Sequence, residues 1–288
     1  MNKTNIILPF LFLLPTFFLI LLFMFYPLFY SLVISFYDIN PSNFQPTKFI
    51  GLKNYIEVIS STSFIESIKS TFIFVFLTVS LSVLIGLGLS LLLNLKGILA
   101  KILRGVFITP WAIPPIVAAV MWKLMYHTQF GLLNAFLNRF GIQKISFLGD
   151  PNIAMLSISI ADCWIYASFC ALMILPYLQS IPLEIEESAS LDGANSLQKF
   201  RYIMLPLIKP GLLIAIIIKS LFSFTEFAIV YALTGGGPAG TTNLISYYIY
   251  TVSFKALKFN YAASLSYILA LISLLFCIFY VYLFRRVK

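Results

Sequence analysis

Charge is what this sequence has least of. Only 10% of its 288 residues are Asp, Glu, Lys or Arg, while 60% are hydrophobic and the mean hydropathy is +0.97. A soluble domain carries about a quarter charged residues. A core of this size cannot enclose so much apolar surface, so much of it must face lipid. That excludes a soluble enzyme, a disordered chain and a collagen-like fibre. Histidine occurs once, at His127, and a lone histidine makes no metal site. The three cysteines, Cys163, Cys170 and Cys277, lie in apolar runs and form neither a disulfide framework nor a zinc pattern. Cys163 and Cys170, seven apart on one helix face, read as ordinary packing. There is no phosphate loop of the Gly-x-x-x-x-Gly-Lys-Ser/Thr kind and no Ser/His/Asp or Cys/His constellation. No catalytic residue, metal or cofactor is therefore expected. The net charge of +9, on so apolar a chain, reads as a sign of membrane topology rather than of nucleic-acid binding.

What the sequence has in abundance is long apolar runs. A span needs about 20 apolar residues, and six stretches qualify: about 7–35, 71–95, 105–125, 152–178, 211–233 and 261–284. Barrel strands are short and alternate in polarity, so these runs predict helices and an all-α membrane protein with six transmembrane helices in one domain, 1–288. The first run is too long for a signal-peptide core and no small-residue cleavage site follows it, so it reads as a retained helix, irregular at Pro9, Pro15 and Pro27. The third run carries Pro110, Pro114 and Pro115. Six spans put both termini on one side. Lys3, Lys96, Lys101, Arg104, Lys199, Arg201, Lys209, Arg285, Arg286 and Lys288 cluster at helix ends on that side. Lys48, Lys53, Lys69, Lys123, Arg139, Lys144, Lys255 and Lys258 are spread through longer loops on the other. The positive-inside rule then makes the termini cytoplasmic. The outer loops, 38–68, 126–151 and 234–260, are expected to hold short surface helices, and Gly235-Gly236-Gly237-Pro238 reads as a sharp exit from the fifth span.

The segment 179–209, between spans four and five, is the most charged part of the chain. Pro182 suits a first helical turn, and Glu184, Glu186 and Glu187 complement a positive helix start. Gly193 is a natural stop, Asn195 or Ser196 can cap a second short helix, and Pro206 is expected to end it. Local physics alone fits a solvated connector equally well. The string Glu187-Ser188-Ala189, then Gly193, Ile203 and Leu205-Pro206, resembles the EAA loop of bacterial ABC importer permeases, with Ser188 where Ala is usual. Gln179-Ser180-Ile181-Pro182, Leu191-Asp192-Gly193-Ala194 and Leu205-Pro206-Leu207-Ile208-Lys209-Pro210 resemble the binding-protein-dependent sugar permeases. Pro110-Trp111-Ala112-Ile113-Pro114-Pro115 is similar to the start of that family's third span. Gly51-Leu52-Lys53-Asn54-Tyr55 and Gly131-Leu132-Leu133-Asn134 are similar to its outer loops, and Thr234-Gly235-Gly236-Gly237-Pro238 to the maltose-type first permease subunit.

The resemblance implies a type I ABC importer permease bundle in the bacterial inner membrane, surrounded by lipid. It also implies a second homologous permease subunit making a heterodimer, two cytoplasmic ATPase subunits, and an extracytoplasmic solute-binding protein that delivers a small-molecule substrate. Glu184, Glu187, Ser188, Ala189, Asp192 and Gly193 would couple the chain to the ATPase. Within the spans, Asp162, Lys219 and Glu226 are costly in a bilayer and normally face a bundle interior or wet cavity. Lys219, Phe222, Ser223 and Glu226 share one helix face, as do Asp162, Ile165, Tyr166 and Phe169. The resemblance assigns these eight residues to a sugar pocket; the bland reading is that Lys219 and Glu226 pair to neutralise each other. An acidic residue that many sugar permeases place after Phe227 is replaced here by Ala228, with Glu226 acidic instead. The competing function is a transporter or channel driven by an ion gradient.

Overall fold

Proline sets where the helices of this chain break and where they widen. The computed structural model describes residues 4–40, 44–95 and 97–285, with the side chains of 4–11, 99–101 and 284–285 left aside. Of the basic residues used above for orientation, Lys3, Lys96, Arg286 and Lys288 lie outside the described residues. The first apolar run forms helix α1 (Thr4–Ile20) and helix α2 (Tyr26–Ser35), joined without interruption by a π-helical turn, Leu21–Phe25. Pro27 follows that turn directly. Its ring would clash with the carbonyl four residues back, and a widened turn relieves this. A hairpin of β1 (Tyr37–Ile39) and β2 (Pro46–Phe49) comes next, pairing Tyr37 with Phe49 and Asp38 with Lys48. It is followed by α3 (Lys53–Ser60) and the long α4 (Thr62–Leu93). At 1.5 Å per residue α4 outlasts the hydrocarbon core, so its first turns carry Glu66 and Lys69 and it starts earlier than the charge-free run suggests.

The third apolar run is not a straight span. Helix α5 (Ile98–Ala112) and helix α6 (Pro115–Met125) meet at a 98° bend. Ile113, in an extended conformation ahead of Pro114, cannot continue α5, and Pro115 begins α6, where its missing N–H is not needed. Helix α7 (Leu132–Asn138) lies in the segment 126–151. Helix α8 (Ala154–Gln179) is the most buried of the long helices. Helix α9 (Leu183–Leu191) and helix α10 (Ser196–Lys199) follow.

The expected end of the second loop helix at Pro206 is corrected. A π-helical turn, Phe200–Met204, carries α10 straight into α11 (Leu205–Phe224), and Pro206 sits in the first turn of α11. This is the same pairing of widened turn and proline as at Pro27. The fifth apolar run also divides. Helix α11 ends at Phe224, and a separate α12 (Ala228–Leu233) follows a three-residue break. Gly235 and Gly236, both at positive φ, then turn the chain away. Helix α13 (Ile245–Tyr250), a third π-helical turn (Thr251–Lys255) and helix α14 (Phe259–Arg285) complete the described chain. Among the described residues five helical stretches are long and apolar enough to cross a membrane, and six if the bent α5–α6 pair counts as one span.

Contacts divide the chain into two units. The first is Met1–Phe64 with Ile249–Leu271, where the Tyr267 hydroxyl donates to the Leu28 carbonyl and the Asn260 amide donates to the Tyr37 carbonyl. The second is Ile65–Tyr248 with Ile272–Lys288. Its core runs along α8 and α11, where Phe169, Cys170, Ile174 and Leu178 pack on Ile208 and Ala215.

Candidate functional site

Two of the three costly charges of the spans pair in the second unit. Lys219 on α11 and Asp162 on α8 are both fully buried, and the Lys219 ammonium donates to Asp162 Oδ2 at 2.7 Å. The ammonium also donates to Ser223 Oγ at 2.8 Å and stands 4.2 Å from the centre of the Tyr166 ring. Thr78 on α4 extends the cluster, its hydroxyl 2.9 Å from that of Ser223. A charge in this setting needs both an opposite charge and hydrogen bonds, and Lys219 has them from α8 and from its own helix. The expected Lys219–Glu226 pair is corrected: Asp162 is the ion-pair partner of Lys219 among the described residues. The i, i+7 spacing assumed a continuous helix, and α11 stops two residues before Glu226. Glu226 caps α12 instead, its Oε1 accepting from the Ile229 amide at 2.9 Å. The Ser246 hydroxyl donates to the Glu226 backbone carbonyl.

Aromatic rings line one side of this cluster. Tyr166 and Phe169 each have ring centroids 5.5 Å from that of Phe222, and Trp111, at the end of α5, lies 5.6 Å from Phe169. Phe222 is 37% exposed and Tyr166 half-buried, whereas Phe169 and Ile165 are buried. The chain thus brings Asp162, Tyr166, Phe169, Lys219, Phe222 and Ser223 to one α8–α11 seam, with the rings of Phe222 and Tyr166 open along it; Ile165 is buried on α8, and Glu226 lies past the end of α11. Sequence reasoning missed Thr78 and Trp111. Thr78 is a lone hydroxyl in an apolar run and carries no signal of its own. Trp111 stands inside the Pro110–Pro115 string, and nothing in that string signals its contact with Phe169.

The other predicted cluster lies on α9 and the turn after it. Pro182 precedes the helix, and Glu184 and Glu186 occupy its first turn. Asp192 closes the helix, and Gly193 adopts φ +83°, a conformation that suits glycine. The Ala194 amide donates back to the Ala189 carbonyl at 2.9 Å, completing a Schellman turn. Asn195 then starts α10 with a reciprocal capping box to Gln198. Glu184, Glu187, Ser188, Asp192 and Gly193 are exposed and Ala189 is buried. Around them Leu183, Leu197 and Tyr202 are exposed, and Leu191 is 90% exposed. Acidic and apolar side chains thus share an open surface with no cover from this chain.

Among the described residues no group of three or more His, Cys, Asp or Glu side chains could hold a metal. Asp162, Glu226, Lys219 and Ser223 form no nucleophile–base relay. What the site offers is apolar ring faces beside a neutralised polar cluster, together with a helical docking surface.

The chain is similar to several known proteins. The trehalose/maltose transport system permease protein MalF of Thermococcus litoralis is 38% identical over 242 residues, covering 83% of this chain and 81% of that protein. The sulfoquinovosyl glycerol transport system permease protein SmoG of Agrobacterium fabrum is 33% identical over 269 residues, covering 93% and 87%. The sn-glycerol-3-phosphate transport system permease protein UgpA of the same species is 33% identical over 275 residues, covering 93% and 91%. The fold matches a chain of a bacterial ABC transporter involved in the import of the acidic polysaccharide alginate, with a TM-score of 0.84, 23% identity, and coverage of 99% of this chain and 97% of that one. Residues 82–288, well over half the chain, match the family described as the binding-protein-dependent transport system inner membrane component, and the chain belongs to that family as a multi-pass membrane transport subunit.

Proposed function

We propose that this chain is one of two membrane subunits of an ATP-driven importer for a sugar, polyol or glycerol phosphate. The observation that carries the reading is the α9 docking surface, an exposed helix closed by the Gly193 turn on a chain without a phosphate loop. Energy must then come from a partner, and two cytoplasmic ATPase subunits fit that surface, one on this chain and one on the second permease. Both termini and α9 lie on the cytoplasmic side, and an extracytoplasmic binding protein presents solute to the opposite face. The names of the three relatives support the substrate class, since each transports a glycoside or a glycerol derivative.

Substrate passes along the α8–α11 seam. The faces of Phe222 and Tyr166 stack on the apolar side of a sugar ring. Ile165 and Phe169 support those rings, while Asp162, Lys219, Ser223 and Glu226 supply polar contacts once the seam opens. The ion-gradient alternative is not favoured: Asp162 and Lys219, the charges it would use, neutralise each other at 2.7 Å.

The test is reconstitution. The chain is purified with the subunits that accompany it, placed in liposomes, and supplied with labelled trehalose, maltose or glycerol 3-phosphate. Uptake that needs ATP and a second permease is expected. Uptake by this chain alone on an ion gradient would overturn the proposal.

A further inference from the structure

Helix α7 is built the wrong way round for a loop in water. Of its two asparagines Asn138 is exposed, but Asn134 is buried and clamps the following segment, its amide nitrogen donating to the Ile145 carbonyl and its oxygen accepting from the Ile145 amide, each at 2.9 Å. Large apolar residues on it and on either side of it point out. Phe130, Leu132, Phe136 and Phe140 are 57–68% exposed, and Phe136 and Phe140 stack edge to face at 5.1 Å. An apolar side chain turned to water on so short a segment, four times over, marks contact with a nonaqueous neighbour.

The position of α7 identifies that neighbour. The turn from α6 is tight: the Gly131 amide donates to the His127 carbonyl at 2.9 Å, and a Cβ at Gly131 would lie 2.4 Å from that oxygen. Helix α7 is therefore held within a few residues of the end of a membrane helix. Helix α6 itself exposes Val117, Val120, Met121 and Leu124. Charge supplies the third argument. From Met125 to Gly149 there is no Asp or Glu, while Arg139 and Lys144 are both exposed. Exposed Phe and Leu on and around a short helix, with Arg139 and Lys144 past its end, suit a segment lying in a membrane interface.

We propose that α7 is an interfacial anchor. Phe130, Leu132, Phe136 and Phe140 enter the outer edge of the acyl region, and Arg139 and Lys144 meet the phosphates of anionic lipid headgroups. The anchor fixes the depth and angle of α6, whose packing on α12 joins it to the end of the broken fifth span.

Spin-label accessibility tests this on the full chain, purified with its accompanying subunits and reconstituted in phosphatidylcholine–phosphatidylglycerol nanodiscs. With Cys163, Cys170 and Cys277 replaced, labels are attached at Phe136→Cys and Phe140→Cys, and at Gln129→Cys and Gln143→Cys as water-facing controls. Oxygen should relax the labels at 136 and 140 more than a water-soluble nickel chelate does, with the reverse at 129 and 143. The double substitution Arg139→Glu, Lys144→Glu should raise nickel access at 136 when phosphatidylglycerol is present. Labels at 136 and 140 that favour nickel would show a water-exposed loop. Labels shielded from both reagents would show a protein partner instead. Either outcome overturns the proposal.

Discussion

At the scale of single residues, the buried ion pair was half legible. Lys219 announced itself as a charge inside an apolar run, and its need for a partner followed from the cost of burial. The partner did not follow, because Asp162 is 57 residues away and the spacing to Glu226 looked right until the helix end at Phe224 removed it. The pair makes a sharp prediction. Lys219→Met or Asp162→Asn alone leaves an uncompensated buried charge, which costs about 3–5 kcal/mol. The combination of the two leaves none, and stability should recover most of that loss. Thermal unfolding in detergent checks it: two low midpoints for the single variants and a near-normal one for the double variant. Three equal midpoints would mean the pair contributes nothing.

At the scale of elements, prolines were read as punctuation, and the chain uses some of them differently. Pro114 and Pro115 do break the third span, but Pro27 and Pro206 sit just after π-helical turns that let the helix run on. A widened turn has no composition signature, so it could not be read beforehand. The Asn195 cap and the Gly193 stop were legible because each depends on chemistry local to one residue. For Gly193 the space around a new Cβ is open, with nothing within 4 Å, so substitution acts through the backbone rather than through a clash. A left-handed conformation costs an ordinary residue about 1–2 kcal/mol and costs Asn less. ATP-dependent uptake should therefore fall most for Gly193→Val and least for Gly193→Asn, with all variants inserted in the membrane. Equal uptake by both variants would remove the turn from the coupling route. The short α12 invites a second test. It is capped by Glu226 at its start and near its end by Lys123, whose ammonium donates to the Ala232 carbonyl at 2.8 Å. Lys123→Met should speed hydrogen exchange of the α12 amides while leaving those of α8 unchanged. An unaltered exchange rate in α12 would show that the cap is dispensable.

At the scale of the whole molecule, membrane class and family were legible, because composition and the EAA-type string both survive any error in helix ends. The state of the site was not. Spacing put Lys219 and Ser223 on a shared face but could not say that the face is closed, since closure depends on Thr78 and Asp162 from two other helices. If the seam is the substrate path, as proposed, an importer that alternates its access must open it in one state and seal it in another. A single cysteine at Ser223 should therefore resist water-soluble thiol reagents in the resting complex, because Ser223 is fully buried. It should become reactive when ATP is bound with hydrolysis blocked, and substrate should then protect it. A cysteine at Phe222, already partly exposed, should react in both states. Labelling of this pair in the reconstituted complex separates the two roles of the cluster. Reactivity at 223 that follows the nucleotide state marks polar groups uncovered for substrate. Silence at 223 in every state, with uptake intact, marks a permanent staple between α8 and α11 and leaves only the exposed rings to meet the solute.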